Sequence, residues 1–411
     1  MMWIRELIGK SSLACGFALA FLVPSGGAQA NSERVLYNFC SEANCADGFI
    51  PLDLARGREG NLYGAADAGG RNDLGAVFRL AADGSYTVLY SFTAKSKDGK
   101  YPDAGLVLDK PGNLYGTTAD GGNYDYSACG QTGCGTVFRV TPDGKETVLH
   151  AFKGTDGYDP SATMILDSKG NLYGTTWAGG ASGYGVVFEL SPKGQLTVLH
   201  SFDGSDGANP LGKLSEDESG NLYGATANGG TGTNCEGGAC GVIFELAADG
   251  TFGVLHDFQG TDGATPFGPL VPWNKDLYGV TVGGASTCGP EGQGCGAAFK
   301  LAPDGTLTLL HIFLNGSDGG YPVGGLIADQ SGNLYGVTAN GGNRDCENEF
   351  GCGLVFRLTT KGLEKVLYSF RPYRSGSEPE AGLIMDGHGN LYGTTWEGGA
   401  DGLGTLFEIR N

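Results

Sequence analysis

Carboxylates at a recurring spacing are the first residues in this chain that could do chemistry. Asp-Gly-x-x-Pro begins at Asp47, Asp98, Asp156, Asp206, Asp262 and Asp318, and a seventh copy is altered to Ser375-Gly376-Ser377-Glu378-Pro379. An acidic ring of this kind at a channel mouth would suit a hard cation, with calcium the only cofactor it suggests. Calcium, however, needs about six to eight oxygens held close together, and one aspartate per repeat spreads them apart. The favoured reading is structural: Asp-Gly makes a turn whose side chain accepts backbone hydrogen bonds, and no metal is bound.

Other reactive side chains are sparse. His150, His200, His256 and His311 share one repeated place that holds Tyr37, Tyr90 and Tyr368 elsewhere, which points to packing rather than catalysis. Neither Gly-x-Ser-x-Gly nor His-Glu-x-x-His occurs, so nucleophilic and zinc-hydrolase signatures are missing. Paired carboxylates for glycoside hydrolysis stay open among 45 acidic residues, because their separation is a three-dimensional property. Trp177 and Trp396 stand where other repeats have Asp67, Ala119, Ala227 and Ala339. Packing common to all repeats therefore needs no aromatic there. Exposed indoles suit sugar rings, so Trp177, Trp396 and Asp67 are the candidate ligand-binding residues; a buried contact between repeats is the competing reading.

Ten cysteines after residue 30 fall into close pairs: Cys40/Cys45, Cys129/Cys134, Cys235/Cys240, Cys288/Cys295 and Cys346/Cys352. Even count and local pairing favour disulfides over zinc, which would need ligands from several repeats. Four pairs lie in long loops, and they are expected to stiffen a surface rather than hold the fold.

The elements that must position these residues come from repetition. Near-copies of Gly-Asn-Leu-Tyr-Gly centre on Tyr63, Tyr115, Tyr173, Tyr223, Tyr278, Tyr335 and Tyr392, spaced 50 to 58 residues apart. Each repeat carries four short runs rich in β-branched and aromatic residues, separated by turn residues. In the third repeat they are 163–166, 171–176, 185–190 and 196–202, here named strands a to d. With 76 glycines and no amphipathic helical stretch, the reading is all-β. Four strands per unit at this period predict a seven-bladed β-propeller. The final repeat stops after strand c, at Gly404–Ile409, while an orphan strand d, Arg34–Phe39, precedes the first repeat. Pairing the two closes the ring through its last blade.

The Gly-Asn-Leu-Tyr-Gly-Thr-Thr run, the Gly-Gly after it, and the Val-Phe-Glu-Leu and Val-Leu-His-Ser-Phe strands resemble the GloVer tandem repeat of exported bacterial proteins. That resemblance spans all seven units and implies export and tandem repetition, without naming an activity. The Asp-x-x-Gly-Asn-Leu-Tyr segment is also similar to NHL-repeat and gluconolactonase-type propellers.

Residues 1–30 read as a signal peptide, with Arg5 and Lys10 before an apolar run and Ala28-Gln29-Ala30 as the cleavage site; residues 31–411 then form one domain. No other stretch is apolar enough for a transmembrane helix. Removing Arg5, Lys10 and Glu6 takes the net charge from −19 to −20, which disfavours nucleic acid as a partner. The expectation is an exported, periplasmic or extracellular monomer that binds carbohydrate or an extracellular protein through its b–c and d–a loop face. The alternatives are an extracellular polysaccharide lyase, hydrolase or lactonase with acidic residues at the channel mouth, and a structural or adhesive envelope protein.

Overall fold

Turn chemistry decides where each strand starts. In the third repeat the Asp167 carboxylate accepts hydrogen bonds from the backbone N–H of Lys169 and of Asn171, and from the Asn171 side-chain amide. Asp109, Asp217, Asp329 and Asp386 bind their asparagines in the same way. The Asp-x-x-Gly-Asn phrase is therefore the clamp of the a–b turn. Its next glycine is fixed by packing: a Cβ on Gly174 would lie 2.7 Å from the Phe188 ring.

A computed structural model describes residues 32–93, 95, 97–122, 129–130, 132–232, 235, 240–288, 294–346 and 350–410. The expected signal peptide lies outside these residues. Around one axis stand seven antiparallel sheets, making the chain a seven-bladed β-propeller. Blade 3 runs outward as Ile165–Leu166, Leu172–Thr176, Val186–Leu190 and Leu196–Ser201. Strand c is buried at Val186, Val187, Phe188 and Leu190, because neighbouring blades cover both of its faces.

The seams between blades are aromatic. The strand d phenylalanine of one blade meets the strand c phenylalanine of the next seven times, from Phe39–Phe78 round to Phe370–Phe407, with ring centroids 5.0 to 5.6 Å apart. All fourteen rings are fully buried. Such pairs contribute about 0.5–1.5 kcal/mol each beyond area burial. A second seam contact joins the glycine that opens strand c to the proline that opens the next strand a. A Cβ on Gly185 would lie 2.8 Å from Pro210, so only glycine fits there.

Closure follows the half-repeats. Glu33–Asn38 pairs antiparallel with Thr405–Ile409, from Glu33 opposite Ile409 to Asn38 opposite Thr405, as the outer strand of blade 7. Strand a is less regular than its residue types suggest. In blade 1 it is split into Phe49–Pro51 and Ala55–Arg56, both pairing with Leu62–Ala68. In blades 5 and 6 it is continuous, with register shifts at Phe267/Val271 and Val323/Ile327. Strands crowding at the axis account for the break, since each must leave its neighbour where the chains converge.

All five expected disulfides form. One cysteine of each loop pair sits at a seam. Cys134, Cys240, Cys295 and Cys352 are fully buried in core clusters. Their carbonyls accept the backbone N–H of Asp159, Thr265, Tyr321 and Glu378 of the following blade. The bridges thus anchor the long loops to the seams. Leu74 and Tyr184 supply the same carbonyl in blades 1 and 3, whose loops are short.

The fifth bridge, Cys40–Cys45, belongs to the crossover that leads into blade 1. Cys45 ends a short 3-10 turn, Ala43–Cys45, within a chain read as strands and turns alone. Its backbone is left-handed, with φ at 50°. That conformation aims the Cys45 carbonyl at two amides, the N–H of Gly48 at 2.9 Å and of Gly70 at 3.0 Å. Gly70 follows strand b of blade 1, so the Cys45 turn ties the crossover to that blade's b–c loop.

Candidate functional site

The repeated aspartates are drawn into separate clamps. Asp47 accepts the Tyr37 hydroxyl at 2.7 Å and the backbone N–H of Ser41. Asp98 does the same with Tyr90 and Thr93. In blades 3 to 5 the partner is histidine: His150 Nε2 lies 3.0 Å from Asp156, and His200 and His256 lie 2.8 Å from Asp206 and Asp262. His311 lies 3.4 Å from Asp318. Where the motif is altered, the Ser375 hydroxyl accepts the Arg371 N–H instead. The recurring histidines and carboxylates are therefore one another's partners, tying strand d to the crossover. Among the described residues, no group of three or more His, Cys, Asp or Glu side chains is set to hold a metal.

The two tryptophans differ in access. Trp396 is 4% exposed and offers no ring face to a ligand, so its expected place among the ligand-binding residues is corrected to the buried contact. Trp177 is half-buried, and Asp67 is half-buried at the matching rung of blade 1. Trp177 also sits inside a polar network. Its N–H donates to the Asp159 carbonyl, and its own carbonyl accepts the Asn209 side-chain amide at 2.9 Å. Asn209 in turn meets Asn228 at 3.3 Å, and the Ser161 hydroxyl donates to the Asp159 carboxylate at 2.8 Å. Tyr101 and Tyr184, 37% and 44% exposed, add aromatic rings on blades 2 and 3.

Inward from this sector lies the axis, where a cavity is lined by Asp53, Asp103, Ser161, Lys213, Phe267 and Glu380 among others. Blade 1 has two residues between Pro51 and Leu54, where blade 2 has three between Pro102 and Leu106. Asp53 accepts the Gly382 N–H of blade 7 at 2.6 Å and the Thr163 hydroxyl of blade 3 at 3.0 Å. Nearby, a Cβ on Gly268 would lie 2.3 Å from Gly325, so backbones meet directly. The axis narrows to close contact here.

The carboxylates above it are perturbed. Burial pushes Asp103 and Asp120 up from the ordinary range. Burial, and then the Asp103 charge, raise Asp159 to about 6. Like charges in a partly desolvated site compete for protons, which is the usual origin of such shifts.

The sequence model for the Gloeobacter/Verrucomicrobia repeat matches residues 25–129, 126–345 and 285–411. The chain belongs to that family. Its propeller is similar to a catalytically inactive virginiamycin B lyase from Staphylococcus aureus, solved with quinupristin, at a TM-score of 0.60 and 14% identity over 92% of this chain and 100% of that one. It is also similar to the extracellular domain of a putative one-component system from B. thetaiotaomicron, at 0.56 and 12% over 92% of this chain and 40% of that one. A gluconolactonase from Xanthomonas campestris aligns at 0.42 and 14% over 92% and 89%. At these identities the likeness shows the fold alone. No curated protein matches. Five disulfides, and no helix among the described residues long and apolar enough to span a membrane, fit an exported family member.

The axial set of Asp53, Asp103, Asp159, Lys213 and Glu380 is what motif reading passes over. One signal was present: either side of the crossover proline, seven otherwise matching repeats change chemistry from blade to blade.

Proposed function

We propose that this chain is an exported binding propeller that takes a saccharide at the axial mouth of its loop face. The observation that carries the reading is the blade 2–4 sector, where Trp177, Tyr101 and Tyr184 flank Asp159, Ser161, Asn209 and Asn228. Flat aromatic faces stack on sugar rings, while carboxylates and amides accept and donate to hydroxyls. Blade 3 also has a short b–c loop, 15 residues from Tyr173 to Phe188 against 23 in blade 2 and 21 in blade 4. An extracellular protein partner would instead need a broad apolar patch, and the exposed large apolar side chains are scattered round the ring. The test is tryptophan fluorescence on titration with neutral oligosaccharides. The unsubstituted protein should respond saturably and Trp177→Ala should not. A Trp177→Ala variant that binds as well as the parent would remove the mouth from consideration.

A second reading, hydrolysis, elimination or lactone opening at the same mouth, is favoured by one observation. Asp159, raised to about 6 beside Asp103, is suited to exchange a proton near neutral pH. Turnover of an oligosaccharide or lactone, abolished in Asp159→Asn with binding retained, would establish it.

A further inference from the structure

Resting on the saccharide reading, we propose that the residues immediately before the seven crossover prolines form one recognition ring, whose side chains determine which saccharide the mouth accepts. Ile50, Tyr101, Asp159, Asn209, Thr265, Tyr321 and Glu378 share a left-handed backbone, with φ between 53° and 58°. Six of them donate their N–H to a carbonyl of the preceding blade, at 2.8 to 3.2 Å. Each is followed by the proline that packs against that blade's glycine and leads into the axial strand. The backbone is thus fixed seven times over by the fold.

The side chains are not fixed in this way: Tyr321 packs into the core, and the other six are half-buried or exposed. Around them the repeat restates one solution in nearly every blade: the clamping aspartate, the glycine, the proline and the seam phenylalanine. Before the proline it presents aliphatic, aromatic, acidic, amide and hydroxyl groups in turn. A packing role common to all blades cannot require all five chemistries. Energetics point the same way. Left-handed backbone suits glycine or asparagine, and Asn209 shows that asparagine fits here; β-branched residues resist it most. Ile50 and Thr265 are β-branched, so the fold alone would favour replacing them. Backbone strain retained against an available remedy is a recognised mark of a functional position.

Position and partners supply the rest. The ring lies at the threshold of the axial cavity, whose lining begins one residue beyond six of the seven prolines, at Leu52, Asp103, Ser161, Leu211, Phe267 and Glu380. The only two acidic members, Asp159 and Glu378, each accept through their carbonyls the backbone N–H of a tryptophan, Trp177 and Trp396, as Tyr101 accepts that of Ala119. An acid before the proline and an indole at the end of strand b therefore occur together in blades 3 and 7 alone. In blade 3 this places Asp159 beside the indole-bearing residue of the proposed site.

The experiment compares Ile50→Asn, Thr265→Asn, Asp159→Asn and Tyr101→Ala with the parent, using melting temperature and titration with cello-, manno-, chito- and galacturonate oligosaccharides. Ile50→Asn and Thr265→Asn are expected to melt at or above the parent temperature while changing the order of preference among the four sugars. Asp159→Asn and Tyr101→Ala are expected to weaken the best ligand by about tenfold or more. The ring is overturned if Ile50→Asn and Thr265→Asn lower the melting temperature while all four variants keep the parent's sugar profile. If the parent binds none of the sugars, the saccharide reading fails, and the ring's assigned role goes with it. The two failures are distinguishable because only the first leaves binding intact.

Discussion

Glu146 and Glu364, like Glu33 in blade 7, stand where the other blades place Tyr86, Leu196, Phe252 and Leu307, at the first residue of strand d. In those blades the residue lies against the preceding clamp; the Tyr86 ring, for example, stacks on Tyr37 at 3.9 Å. Here a half-buried glutamate faces the clamp carboxylate instead. Burial, and then the Asp98 charge, push Glu146 up to about 7, and Asp318 adds to the burial of Glu364 in the same way. A folded-state value above the unfolded one means that the group stabilises the fold below about pH 4.5, and that this contribution is lost as pH rises through about 7. Asp217, Asp329 and Asp386 act with the opposite sign. Burial alone would raise them, but hydrogen bonds from their asparagines outweigh it and hold them low. Their contribution is present above the unfolded value of about 3.8 and fades as pH falls through the lower folded value. Melting temperature should therefore decline between about pH 5 and about pH 8, and Glu146→Gln with Glu364→Gln should flatten that decline. An unchanged slope in the double variant would mean that neither seam holds the proton. None of this was legible in the sequence, where a glutamate opening an outer strand looks like an ordinary solvated edge residue.

Among the elements, Glu33–Asn38 is the one supplied from outside its own repeat. Its strand contributes the outer ladder of blade 7 and leads into Phe39, which is fully buried against Phe78. Removing residues 31–40 should lower the melting temperature sharply and expose the phenylalanine seam to an apolar dye. Retention of the parent melting temperature would contradict the pairing. This closure was readable because two fragments of one repeat lay at opposite ends of the chain. Strands b, c and d were equally plain, since alternating burial and turn residues act locally. Strand a was read as one continuous run, but in blade 1 it breaks at the axis. The break depends on other blades meeting there, and no single repeat carries that information. The seam position of these cysteines was hidden for the same reason: the Cys134 carbonyl accepts the N–H of Asp159 in the next blade, and the Cys45 carbonyl accepts that of Gly70 beyond strand b.

At the scale of the whole molecule, the ring architecture and family were accessible from repetition, whereas the candidate site was not. Motif reading favours what recurs, and here what recurs is architectural: Asp47 and its counterparts, the histidines and the phenylalanines all serve clamps and seams. The axial residues differ from blade to blade, and only folding shows that Asp53, Thr163 and Gly382 converge. Closure has one further consequence, in mechanics. Glu33 opposes Ile409, and the Arg410 N–H reaches the Ser32 carbonyl at 3.1 Å, so both ends of the described chain leave the last blade at the same point. Tension applied between those ends would load the ladder one hydrogen bond at a time, as a zipper, rather than all bonds together in shear. Single-molecule stretching from residues 32 and 410 should thus show a first event at low force, the peeling of one strand. Pulling across the ring, from Lys193 to Lys361, should require markedly more.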